Sequence, residues 1–152
     1  MQTFSLIALA SLLASFAAAS PAPSPAPDAD VPRIVKRGEG VHLVNCGSSY
    51  SAVVYCENDG NCNFFPGAGN QCIPGNGGLF AWEGGSKSCK FPGTGTTFTW
   101  NIVGNAQSQA NFANVGSGNN GFHGFQIFKD DKHVMYTDGN GNQCRSIYYC
   151  LP

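Results

Sequence analysis

Charge is scarce in this sequence: Asp, Glu, Lys and Arg together make up 11 % of 152 residues. From Gly38 onward five basic residues stand against seven acidic ones, a net charge of −2, and the basic residues do not cluster. Tight binding to a phosphate backbone needs concentrated positive charge, so neither nucleic acid nor an anionic membrane is an expected partner. After residue 19 no apolar run approaches the roughly 20 residues that a membrane-spanning helix takes, so no membrane span is expected. Helical periodicity is almost missing. No Asn-x-Ser/Thr sequon occurs, so N-glycosylation is not expected, and no Gly-x-Ser-x-Gly elbow offers an activated serine.

What the first quarter does contain is processing signal. Phe4 to Ala19 is a stretch of 16 apolar or small residues without a charge, short for a membrane span and matched to the apolar region of a signal peptide. No Lys or Arg precedes it, so its positive flank is the terminal amine alone. Ala17-Ala18-Ala19 places cleavage before Ser20, giving a signal peptide over 1–19, and Pro21, Pro23, Pro25 and Pro27 argue against a core helix. Residues 20–37, rich in Pro, Ala and Ser, cannot bury enough apolar surface to fold and read as a pro-segment. It ends in Lys36-Arg37, a dibasic pair of the kind secretory-pathway proteases cut. Cleavage there leaves a single domain over 38–152, long enough for one core, in a secreted, extracellular protein.

All seven cysteines, Cys46, Cys56, Cys62, Cys72, Cys89, Cys144 and Cys150, fall in that domain. Such density fits an oxidising compartment, with three disulfides and one odd thiol. Seven choices of the odd residue and 15 connectivities for the other six leave 105 possible maps. Cys56 and Cys62 bracket a turn and can pair across it. Cys144 and Cys150 share a parity in one strand, so each is expected to reach a different segment.

The rest of the chain reads as strands joined by tight loops: aromatic and β-branched residues alternate with polar ones between Gly, Asn, Pro and Asp clusters. Strands are expected at 41–45, 50–56, 79–82, 96–103, 122–128, 132–137 and 143–149. The clearest is the fourth, where Phe98, Trp100 and Ile102 share one face and Thr97, Thr99 and Asn101 the other. Lys129-Asp130-Asp131 reads as a charged reversal and Asp138-Gly139-Asn140-Gly141-Asn142 as a hairpin turn. Gln107 to Ala113 offers at most a helical turn or two. The fold class is therefore all-β: a small disulfide-stabilised antiparallel sandwich or barrel.

Chemistry is harder to find. Asp138-x-Asn140-x-Asn142 matches the first ligands of a calcium loop, but Gln143 and Tyr149 stand where that loop needs Gly and Glu, which excludes an EF-hand. His42, His123 and His133 show no ligand spacing, so neither a metal nor a cofactor is expected. Glu83, with His123 and Arg145, is the one set able in principle to run acid–base hydrolysis, though the spacing gives no catalytic assignment and His123 reads as a half-buried residue on a strand. Trp82 is the aromatic to watch for stacking against a sugar, since Trp100 alternates into the core. Trp82, Glu83, His123 and Arg145 are thus the candidate ligand-binding residues.

The run Gly40-Val41-His42-Leu43-Val44-Asn45-Cys46, the strand Tyr50-Ser51-Ala52-Val53-Val54-Tyr55-Cys56, and the ending Tyr136-Thr137-Asp138-Gly139 with Ser146-Ile147-Tyr148-Tyr149-Cys150 resemble small secreted cysteine-rich proteins of filamentous, in particular basidiomycete, fungi. That resemblance spans 38–152 and the Lys36-Arg37 layout, and carries over no catalytic residue. It implies a non-enzymatic effector-like or antimicrobial, killer-toxin-like protein that binds an extracellular target, whether cell-wall glycan or a host or competitor protein. A carbohydrate or cell-wall binding module is the alternative, and a small secreted hydrolase or ribonuclease the third reading.

Overall fold

A computed structural model describes residues 38–152, so the signal peptide, the pro-segment and Lys36-Arg37 lie outside the described residues. Among the described residues nine strands follow in order: β1 (Gly40–Cys46), β2 (Tyr50–Cys56), β3 (Gln71–Cys72), β4 (Ser86–Lys90), β5 (Thr97–Ile102), β6 (Asn114–Asn119), β7 (Gly124–Lys129), β8 (Val134–Thr137) and β9 (Gln143–Leu151). They form one antiparallel sheet in the order β3-β2-β1-β9-β7-β6-β5-β4, with β8 paired to β9. The sheet curls into a nearly closed barrel. Among the described residues no helix is long and apolar enough to cross a membrane.

Inward-facing residues fill the barrel: Val41 and Leu43 from β1, Phe98, Trp100 and Ile102 from β5, Phe125 and Ile127 from β7, and Tyr148 from β9 belong to one buried cluster. Period-2 alternation delivers them, because every second residue of a strand faces the same way. A second cluster lies on the outer face of β1 and β2, where Val44, Ala52 and Val54 meet Met135 and Tyr136 of β8. Those two strands are therefore covered on both sides, which explains their almost uninterrupted apolar runs.

The barrel's two ends of sheet, β3 and β4, meet without a strand ladder. Cys72–Cys89 joins them covalently. Beside that bridge Gly93 N donates to Gly69 O at 3.3 Å, and a Cβ on Gly93 would stand 2.6 Å from Gly69 Cα, so the two backbones can approach only because both residues lack side chains. Cys56–Cys62 forms across its turn as the spacing suggests, and Cys46–Cys144 ties β1 to β9.

Cys150 corrects one expectation, since it reaches no partner and is the free, buried thiol. The reason is a bulge in β9. Leu43 faces Tyr148 while Val44 faces Ser146, so Ile147 is the extra residue and residues of equal parity on its two sides point to opposite faces. Cys144 therefore meets Cys46 on the outer face, and Cys150 enters the barrel interior. Burial pushes the Cys150 thiol well above its ordinary pKa, with the charge of Asp59 adding to the effect.

Three further expectations change. Residues 79–82 form no strand, yet Phe80 and Trp82 still pack against Trp100 from the loop. Lys129-Asp130-Asp131 is not a reversal: β7 pairs with the last third of β9 and β8 with its first third, so residues 130–133 carry the chain onward along one edge of β9. His123 lies before β7, in the turn after β6, and its imidazole is exposed rather than half-buried on a strand.

Candidate functional site

At the end of the barrel where β1 begins, a cavity of about 230 Å³ opens to solvent. Its floor is apolar. Val41 and Phe98 reach it as inward-facing strand residues, and Phe91 enters from the tight β4–β5 connection, where Phe91 N donates to Thr96 O at 2.9 Å. The rim is polar: Tyr55, the ladder partner of Val41, donates its hydroxyl to Glu39 Oε2 at 3.0 Å. His123 Nε2 stands 3.6 Å from the other oxygen, Glu39 Oε1, with its imidazole 60 % exposed. Desolvation, together with the hydrogen bond and charge of Glu39, raises the Tyr55 pKa, so the phenol remains a donor at neutral pH.

The β6–β7 turn forms one lip of this mouth. Asn120 Oδ1 accepts from Phe122 N at 2.9 Å and from His123 N at 2.8 Å, which fixes the turn and aims both side chains outward. Phe122 is 80 % exposed, an unusual cost for a phenylalanine beside an apolar floor. An apolar base, a carboxylate–phenol pair, an exposed imidazole and an aromatic lip can together bury an apolar group while hydrogen-bonding its polar edge.

The opposite end is closed. Gly84 N bonds Ile102 O at the far end of β5, and Trp82, 2 % exposed, donates from Nε1 to Asn45 Oδ1 at 2.9 Å. Glu83 Oε1 accepts from Tyr148 Oη and from Gln107 Nε2. Burial alone would raise the Glu83 pKa, but those hydrogen bonds hold it below the ordinary value. The Trp82 ring is thus core, packed against Phe80 and Trp100 at steep interplanar angles.

Arg145 sits elsewhere again, on β9, its guanidinium donating to Lys132 O at 3.1 Å and to Gln143 Oε1 at 2.8 Å. Glu83, His123 and Arg145 share no hydrogen bond or ion pair among the described residues. Of the four candidates from sequence, His123 alone lines the mouth. Glu39, Tyr55 and Phe122 were missed because strand pairing and a long-range turn bring them together from distant positions, and no short motif records that.

The calcium-like Asp138 run is a turn, as its chemistry suggests. Asp138 Oδ1 accepts from Asn140 N and Asn142 N, and Oδ2 accepts from Asn142 Nδ2 and from the Tyr50 hydroxyl. His42 is buried between Ser146 Oγ and Asp59 Oδ1, at 3.0 and 2.9 Å. It also lies against Cys56 and Cys62, whose sulfurs are held in their disulfide.

No protein-family model matches the sequence, and neither a curated protein nor a solved structure matches it.

Proposed function

We propose that this is a secreted, non-enzymatic protein of effector-like or toxin-like character, acting by extracellular binding through the open barrel mouth. The observation that carries the reading is the pairing of an apolar floor, Val41, Phe91 and Phe98, with the polar rim of Glu39, Tyr55 and His123 beneath the exposed Phe122. Small barrels hold one compact ligand at such a mouth, and a few fixed polar groups around an apolar base give it orientation. Three disulfides suit export, because they persist where the surroundings are oxidising. A cavity of about 230 Å³ suits a single ring or a branched aliphatic group rather than an extended chain.

A fragment screen followed by amide chemical shifts tests this. Ligands are expected to move Val41, Phe98 and His123, and Phe122→Ser or Tyr55→Phe to weaken them about tenfold. A screen without a single response at the mouth sinks the reading.

Cell-wall binding keeps one specific support, a different aromatic surface from the one the sequence suggested. Phe128 stacks on Tyr149 with centroids 5.1 Å apart, and Phe112 lies beside Tyr149 with more than half its surface exposed. A chitin and glucan pull-down lost in Phe112→Ala but retained in Phe122→Ser would move the binding function there. RNA or polysaccharide turnover abolished by Glu83→Gln or His123→Ala would favour the hydrolase instead.

A further inference from the structure

Away from the barrel mouth, residues 130–133 join β7 to β8 along the edge of β9 and bring two carboxylates and an imidazole together. His133 Nδ1 is 2.7 Å from Asp131 Oδ1 and 3.5 Å from Asp130 Oδ1, and the three ligand atoms all lie within 4.8 Å of one another. An acidic cluster alone would mean little. Here a second observation points to a ligand: Asp130 is 2 % exposed, and its buried Oδ2 has no hydrogen-bond partner among the described residues. Burying a carboxylate without a partner for one of its oxygens is costly unless something positive meets it.

The neighbouring cations do not meet it. Lys129 Nζ donates to Gln107 O and Gln109 O, and the Arg145 guanidinium to Lys132 O and Gln143. His133 is the ion-pair partner of both carboxylates among the described residues, so one imidazole is shared between two acids. The segment is also held in place before any ligand arrives, because Asp130 N donates to Ile147 O at 2.9 Å and Ser146 N to His133 O at 3.2 Å.

We propose that Asp130, Asp131 and His133 bind a first-row divalent cation of the zinc class. Two carboxylate oxygens and one imidazole nitrogen are the donors such ions take, whereas calcium prefers an all-oxygen shell. Asp130 Oδ1 accepts from Asp131 N at 2.8 Å, which leaves Oδ2 as the open oxygen. Ligand atoms about 2.1 Å from a tetrahedral ion lie about 3.4 Å from each other, and one ligand atom from each of the three residues lies within 4.8 Å of the others. The imidazole binds the ion in its neutral form, through Nδ1 with its proton on Nε2, so the ion replaces the Nδ1–Asp131 contact. Asp131 and His133 are each nearly half exposed, and they open onto a cleft of about 590 Å³ that Tyr149 and Phe112 also line. Coordination positions not filled by protein therefore face this cleft and remain open to water or a ligand oxygen.

Calorimetric titration of the purified, oxidised full chain with zinc alone, then with calcium alone, tests the site. One zinc per chain is expected, weakened at least tenfold by Asp131→Asn and by His133→Gln and unchanged by His123→Gln. Asp130→Asn should abolish it if that chain folds; the two half-exposed variants decide the matter if it does not. Absence of zinc binding, binding that survives His133→Gln, or calcium bound more tightly than zinc overturns the proposal.

Discussion

Cys72 and Cys89 stand on the two strands that end the sheet, with Cα atoms 6.1 Å apart, and their disulfide closes the barrel where no backbone ladder does. An unpaired strand edge is a liability for any sheet, and here sulfur and the Gly69–Gly93 contact cover it. The seam also borders the mouth, since Gly69 and Asn70 line the cavity between β2 and the β4–β5 connection.

Replacing both residues, Cys72→Ser with Cys89→Ser, should cost about 3 kcal/mol by urea unfolding, from a bridge that spans 17 residues. Removing Cys46–Cys144, which spans 98, should cost more, about 4.7 kcal/mol on the same chain-entropy reasoning. Hydrogen exchange separates the two further. Faster exchange confined to β3 and β4 is expected only for the first pair.

Tyr136 is buried, and its hydroxyl has no hydrogen-bond partner among the described residues. A buried polar group left unmatched costs stability, so Tyr136→Phe should be neutral or stabilise by about 1 kcal/mol in thermal or urea unfolding. A loss of more than that would reveal a partner for the hydroxyl.

Asp138 is held below the ordinary aspartate range, chiefly by the Asn142 side chain, with backbone N–H groups and the Tyr50 hydroxyl adding, against a smaller opposing effect of burial. A depressed carboxyl contributes stability above its unfolded pKa, about 3.9, and loses it as pH falls through the folded value. Urea midpoints of wild type should therefore drop on acidification more than those of Asp138→Asn, and the two should converge in acid. Parallel curves would deny the turn this role.

Alkali acts on the phenols with the opposite sense. Burial raises the pKa of Tyr50, Tyr55, Tyr136 and Tyr148, helped at Tyr50 by Asp138, at Tyr55 by Glu39 and at Tyr148 by Glu83. A phenol raised in the folded state stabilises it below the unfolded pKa, about 10, and the benefit is lost as pH climbs through the folded value. Phenolate absorbance of the native protein should lag behind that of the urea-denatured chain. Superimposable curves would contradict the burial of these rings.

Much of this architecture was legible where alternation was clean. β5 was written in Phe98, Trp100 and Ile102, and the β8–β9 hairpin in Asp138 to Asn142. β6 was not, because Gly116-Ser117-Gly118 reads as turn chemistry. Its glycines serve close approach instead: a Cβ on Gly116 would stand 2.1 Å from Asn101 O, and one on Gly118 2.7 Å from the Phe98 ring. β4 escaped notice since Cys89 is its one buried residue. Phe80 and Trp82 look like strand residues but fill the barrel end from a loop, as composition records burial and not ladders. At the mouth, His123 was visible as a titratable residue, whereas Glu39 and Tyr55 gain meaning only from the β1–β2 pairing. Parity misled at Cys150 because one bulge, at Ile147, reverses every face beyond it.

Thiol counting on the purified chain, first native and then denatured without reductant, bears most directly on a barrel closed by sulfur and sealed around Cys150. No thiol should react in the folded protein, one should react after denaturation, and peptide mapping should place it at Cys150, with Cys72 bridged to Cys89. A thiol that reacts in the native state, or a map without the Cys72–Cys89 bridge, contradicts the closed barrel.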